Sequence, residues 1–294
     1  MKRVMESKLT VLGLIAAALT LFGACTESAE VRFDFTSQAR PTRSVTIDNF
    51  EGSVKITKGQ VGSAVTGRVR VVAAGFDKEA QARDAAAQVT ISEAGTAEDL
   101  ELVVLVPQTR GAKTFDVDMD LTVPDGVLVN VTTDHGSIAV DSLPIGTLDT
   151  TDGPITTRFT SGEATLRTEG FPITMESHVG DVDVRTSSAP IELISVAGNA
   201  RATTTLGHVS ARVTPPTGGE VFIATTASPV ELITPREFGA RLLAVTSGQG
   251  LVVVEGLPFT PRASPPFQAE GTIGNGAGII DVRTTDADIV VQGR

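Results

Sequence analysis

A few side chains in this sequence are spaced as chemistry would require. Asp116, Asp118 and Asp120 alternate with Phe115, Val117, Met119 and Leu121 in KTFDVDMDLTVPDG, so three carboxylates would share one face of a strand. The spacing mimics the opening of a calcium-binding EF-hand loop. Leu121 stands where its glycine belongs, however, and no glutamate follows at the twelfth position. This weak calcium candidate competes with a solvated charged face that discourages edge-to-edge pairing. Asp149, Arg167 and Arg185 recur at one position of successive repeats. They could act on an acidic or neutral glycan, or pair charges between layers. With Trp and Tyr absent, sugar stacking would fall to Phe. The histidines His135, His178 and His208 show no metal-ligand spacing. No G-x-S-x-G elbow, P-loop or G-x-G-x-x-G occurs, and GTIGNGAGII lacks the Asp spacing of calcium-binding nonapeptides. The sequence therefore predicts neither a catalytic residue nor a cofactor.

The elements that would position these groups are written as a repeat. The segments GEATLRTEGFPITMES, GDVDVRTSSAPIELIS and GNARATTTLGHVSARV begin at Gly162, Gly180 and Gly198. Taking one aliphatic anchor per unit gives Ile138, Ile155, Ile173, Ile191, Val209, Val230 and Leu251, in steps of 17, 18, 18, 18, 21 and 21. Positions two after, seven before and nine before the anchors are almost wholly apolar, with Val184 and Val182 in the latter two columns. Period two within a unit means strands with one buried face. A period near 18 means that the strands recur in the next layer, each unit burying its face only against neighbours. The fold class expected is all-β: a right-handed parallel β-helix, or β-solenoid, with coils of about 18–21 residues.

Five positions before each anchor stands a threonine: Thr133, Thr150, Thr168, Thr186, Thr204, Thr225 and Thr246. Flat threonine ladders can bind ice, yet this column shares its parity with the apolar ones. The reading adopted is a structural ladder, pointing inward or along a corner, with hydroxyls bonded to each other or to turn backbone. Gly136, Gly153, Gly207 and the prolines Pro154, Pro172, Pro190 and Pro229 mark one corner, while Gly162, Gly180, Gly198, Gly219 and Gly239 mark the opposite turn.

Residues 44–128 read as an N-terminal β region, in which SVTIDNFEGSVKITKG (44–59) already resembles a coil. DKEAQARDAAAQ (77–88) is the one helix, with Asp77 as its N-cap. Residues 129–294 carry the repeats, and GIIDVRTTDADIVVQ near the end reads as one or two more coils or a cap.

The first 24 residues read as an export signal: a basic start, then the apolar run LTVLGLIAAALTLFGA. That run is shorter than the ~20 residues of a spanning helix. LFGAC resembles the lipobox of bacterial lipoproteins, although Phe22 stands where Leu is usual. The resemblance implies lipidation of Cys25, the only cysteine, and residues 25–43 would then be a tether. Lys2, Arg3 and Lys8 against Glu6 give the signal +2, so the chain charge of −11 leaves −13 for the rest. Such an acidic protein is a poor nucleic-acid binder. VPDGVLVNVTTDHGSIAVDSL, followed by TTDGPI, TEGFPI and TSSAPI units, resembles a bacterial adhesin-like domain of unknown function built from β-helical repeats. The resemblance spans roughly residues 44–294 and implies a non-enzymatic interaction scaffold. It would be lipid-anchored in the cell envelope, at the outer membrane or cell surface, with a protein or surface glycan as partner. A polysaccharide-active β-helix enzyme and a periplasmic stress or assembly component stand as alternatives.

Overall fold

The computed structural model describes residues 26–110, 112–263 and 266–294, so Cys25 and the apolar run lie outside the described residues. The N-terminal part contains β1 (Glu27–Thr36), β2 (Ser44–Glu51), β3 (Val54–Lys58), β4 (Thr66–Phe76), helix α1 (Glu79–Ala86), β5 (Thr90–Gly95), β6 (Asp99–Leu105) and β7 (Thr114–Val123). A regular middle comes next, with β8 (Leu128–His135), β9 (Ile138–Asp141), β10 (Ile145–Asp152), β11 (Ile155–Arg158), β12 (Ala164–Thr168) and β13 (Ile173–Val179). It continues through β14 (Val182–Arg185), β15 (Ile191–Ala197), β16 (Ala200–Thr203), β17 (Val209–Thr214), β18 (Glu220–Ala224) and β19 (Val230–Thr234). The C-terminal part adds β20 (Ala240–Ser247), β21 (Val252–Glu255), β22 (Phe259–Ala263), β23 (Gln268–Ile273), β24 (Gly278–Thr285) and β25 (Ile289–Gly293).

These strands form two large, mostly parallel sheets of 12 and 13 strands. From β8 to β19 the chain alternates between them, one strand in each per repeat, so that every repeat adds one layer to both. The anchors stack in register in the first sheet: Ile138, Ile155, Ile173, Ile191, Val209 and Val230 are successive Cα partners, all 0–1% exposed. In the second sheet Ala164, Val182 and Ala200 are successive partners, as are Leu166, Val184 and Ala202. Each buried Ile, Leu or Val among them contributes roughly 1.5–3 kcal/mol. The core is therefore a continuous strip of aliphatic side chains between the two sheets.

Several expectations need correction. Leu251 is not the seventh anchor: it is 51% exposed, and Ile289 is the residue that stacks on Val230. Val252, one residue on, pairs with Ile289. The corner after Thr246 carries one residue more than the corner after Thr284, and with period two a single extra residue turns a side chain to the other face. In the column nine before the anchors, Ile145 rather than Gly146 pairs with Val129, through a local register shift. The stretch expected as a tether contains β1, which runs antiparallel to β4, because its alternating Val31, Phe33 and Phe35 pack against the core. Helix α1 starts after Lys78, not Asp77; Lys78 is extended and makes no side-chain cap. Its Ala82, Ala85 and Ala86 are buried.

Both ends of the stack depart from chain order. The layer β2/β3 lies between β6/β7 and β8/β9, and the layer β24/β25 lies between β18/β19 and β20/β21. Both inserted layers obey the repeat grammar. Val45, Ile47, Val54 and Ile56 stack on Val129, Val131, Ile138 and Val140, and Ile280, Val282, Ile289 and Val291 stack on Val221, Ile223, Val230 and Leu232.

Candidate functional site

The three aspartates of β7 project from the outer face of the 12-stranded sheet. Same-face neighbours on a strand are ~6.8 Å apart, which leaves room for cations from the neighbouring strands. Asp118 pairs with Arg70 at 2.8 Å and accepts the Ser53 backbone N–H at 3.0 Å. Arg70 also reaches Glu30 at 3.0 Å. Asp120 sits opposite Arg68 on β4 and Lys55 on β3, so the row Asp34, Arg68, Asp120, Lys55 alternates in sign across four strands. The Arg70 guanidinium lowers the Glu30 carboxyl, and the two carboxylates raise Arg70 in turn. Burial, aided by the Asp118 charge, raises Asp116. The result is an open groove of ≈ 570 Å³ with interleaved charges. The calcium candidate is not supported: among the described residues no three His, Cys, Asp or Glu side chains form a set able to hold a metal.

Asp149, Arg167 and Arg185 are direct cross-strand neighbours on the outer face of the 13-stranded sheet. The cross-layer ion pair expected of them does not form among the described residues. Arg185 instead grips Asp183 two positions back on its own strand, at 2.9 and 2.6 Å. Arg283 grips Asp281 in the same way, at 2.7 Å through both nitrogens. Side chains two apart on a strand share a face, so Asp-Val-Arg closes a bidentate pair within one strand. Arg201 lies over the Phe222 ring at 4.2 Å.

The seven threonines are buried, 1–7% exposed. Six donate their hydroxyls to corner carbonyls of the preceding layer: Thr133 to Gly52 (3.2 Å), Thr150 to Gly136 (3.0 Å), Thr168 to Gly153 (3.0 Å), Thr186 to Phe171 (3.3 Å), Thr204 to Ala189 (3.2 Å) and Thr225 to Gly207 (3.2 Å). Thr246 has no partner for its hydroxyl among the described residues. Two rungs escaped sequence reading. Thr284 donates to Ser228 at 3.0 Å, and buried Asn49 donates to Gly52 and Val117, both at 3.0 Å. Each stands five before the anchor of its inserted layer, so the column rule would have found both.

The histidines are not brought together. His135 pairs with Asp152 at 3.2 Å on a half-exposed corner, and His208 is exposed. His178 is fully buried. Its Nε2 lies 3.0 Å from the Gly162 carbonyl and its Nδ1 3.0 Å from the Thr160 hydroxyl, so Nε2 carries the proton and Nδ1 accepts. Burial lowers its pKa, against the pull of the Gly162 carbonyl and Asp181.

No family model matches the chain, and no curated protein matches it. Solved structures do. A putative adhesin from Bacteroides fragilis is 9% identical, with 90% of this chain and 97% of that one covered and a TM-score of 0.41. A putative adhesin from Parabacteroides distasonis is 12% identical, with coverage of 90% and 97% and a TM-score of 0.31. A putative cell adhesion protein from Clostridium sporogenes is 8% identical, with coverage of 91% and 100% and a TM-score of 0.29.

Proposed function

We propose that this chain is an exported β-solenoid, lipid-anchored through Cys25, that serves the bacterial cell envelope as an adhesin-like interaction scaffold without catalysis. In this reading each pair of strands from β8 to β19 is one coil, wound in the right-handed sense that parallel crossovers favour. The observation that supports it best is the register itself. The anchor column runs wholly apolar through the middle layers while charged and hydroxyl side chains cover long outer faces, an arrangement that offers area rather than a deep cleft. On those faces Asp118, Asp183 and Asp281, carboxylates that chemistry would recruit, are occupied by arginines.

A palmitate analogue should label the wild-type chain in cells and leave Cys25→Ser unlabelled; equal labelling removes the anchor. Cells displaying the chain should bind protein- or glycan-coated surfaces more than cells carrying Cys25→Ser. Turnover of any member of a broad glycan panel, abolished by Asp149→Asn or Arg185→Ala, would replace the scaffold with an enzyme.

A further inference from the structure

The proposed attachment point lies close in sequence to the first strand. Only Thr26 lies between Cys25 and Glu27, the first residue of β1, and one extended residue spans at most ~3.6 Å. The residues after β1 are held in place as well. Ser37 exchanges hydrogen bonds with Val65, its N–H reaching the carbonyl at 2.8 Å and its hydroxyl receiving the amide at 2.9 Å. The Glu93 carboxylate on β5 accepts the Gln38 N–H at 2.9 and 3.0 Å. Arg43 pairs with Asp99, and Ser44 donates to the same carboxylate at 2.7 Å.

The position of β1 gives this a direction. It is the terminal strand of the 12-stranded sheet, with β21 at the other end, and β5 terminates the 13-stranded sheet on the β1 side. Eleven inter-strand spacings of ~4.8 Å separate β1 from β21, about 50 Å. Val31, Phe33 and Phe35 on β1 and Ile91 on β5 are only partly buried where they pack against the core, and helix α1 packs against β1 and β4 at the same end. The outer edge of β1 is a row of backbone N–H and C=O groups that must find partners beyond the sheet.

We propose that the β1/β5 end of the stack is a membrane-contacting surface seated on lipid headgroups, holding β21 about 50 Å above them. This rests on the anchored reading above. Water and headgroup oxygens satisfy the β1 edge, while the half-buried Phe and Ile side chains lie at the interface.

The protein contains no tryptophan, so a single introduced one reports its own depth. Full-length Phe33→Trp, Ile91→Trp and Leu251→Trp chains are reconstituted into vesicles whose lipids carry bromine near the headgroup. Phe33→Trp and Ile91→Trp should lose most of their emission, and Leu251→Trp should keep it. The two probes at the β1/β5 end sit on different sheets, so one decides the matter should the other fail to fold. Vesicle-bound protein with both of those probes unquenched, or with Leu251→Trp quenched equally, overturns the seating and leaves anchoring intact. Protein that does not sediment with the vesicles overturns both.

Discussion

Thr168 and Thr246 stand in the same row of the core but differ in their bonding. The Thr168 hydroxyl satisfies the Gly153 carbonyl, whereas that of Thr246 is buried with no partner among the described residues. Thr168→Val should therefore cost about 1 kcal/mol of stability, and Thr246→Val should be neutral or slightly stabilising. Denaturant midpoints of the two variants would show it, and equal losses would mean that the hydroxyl bonds are not what the column supplies. His178 makes a different prediction. Its folded pKa is lowered by burial, while in the unfolded chain it titrates near 6.5. Above about pH 6.5 both states are neutral and the residue adds no pH dependence. Below it the unfolded chain binds a proton that the folded chain refuses, so stability falls as the pH drops, by up to about 1.4 kcal/mol per pH unit. His178→Gln should lack that slope in melts between pH 7.5 and 5.5. A parallel slope in the variant would place the titration elsewhere.

Four of the six middle repeats bend at a fixed place. Ser142, Phe159, Ser177 and Ser195 all lie four residues after an anchor and have φ of 63°, 50°, 56° and 61°. This left-handed bend carries the next inward side chain, Leu143, Thr160, His178 or Val196, back into the core. The conformation costs a non-glycine residue roughly 1–2 kcal/mol. Phe159 is 62% exposed and gives up little packing, so Phe159→Gly should stabilise by about 0.5–1 kcal/mol once the added chain entropy is counted. Calorimetry would detect the higher Tm, and a lower one would mean that the ring packs more than its exposure suggests. The bend itself was not legible in the sequence, because serine carries no turn signature as strong as Gly or Asn. The columns were legible from Val129 to Leu232 because alternation and an 18-residue step reinforce one another. They failed at Leu251, where one added corner residue defeats any rule of fixed offsets. β1 was missed because its charged outer residues, Glu30, Arg32 and Asp34, resemble linker composition unless their inward partners are read together.

Across the whole molecule, the repeat grammar specifies what stacks but not on which neighbour. Ile289 fits above Val230 as well as Leu251 was expected to, because every layer presents the same branched aliphatic surface. Where repeats stack in chain order, the last one caps an end of the stack. Here β24/β25 lies inside the stack, pairing with β18/β19 on one side and β20/β21 on the other. Deleting residues 278–294 should therefore open an internal gap and release β20–β23 to protease, while the layers from β8 to β15 stay protected. Limited proteolysis with mass mapping of the fragments would reveal the boundary. A truncated chain as resistant as the full one would argue that β20/β21 closes directly onto β18/β19.

The same interleaving sets a schedule. As the chain is made from its N-terminus the middle layers can assemble first, but the slot between β18/β19 and β20/β21 stays vacant until β24 and β25 have followed. Native closure thus waits on residues 278–294, and whatever shields β20–β23 in the interval would govern how much of the chain reaches its final packing.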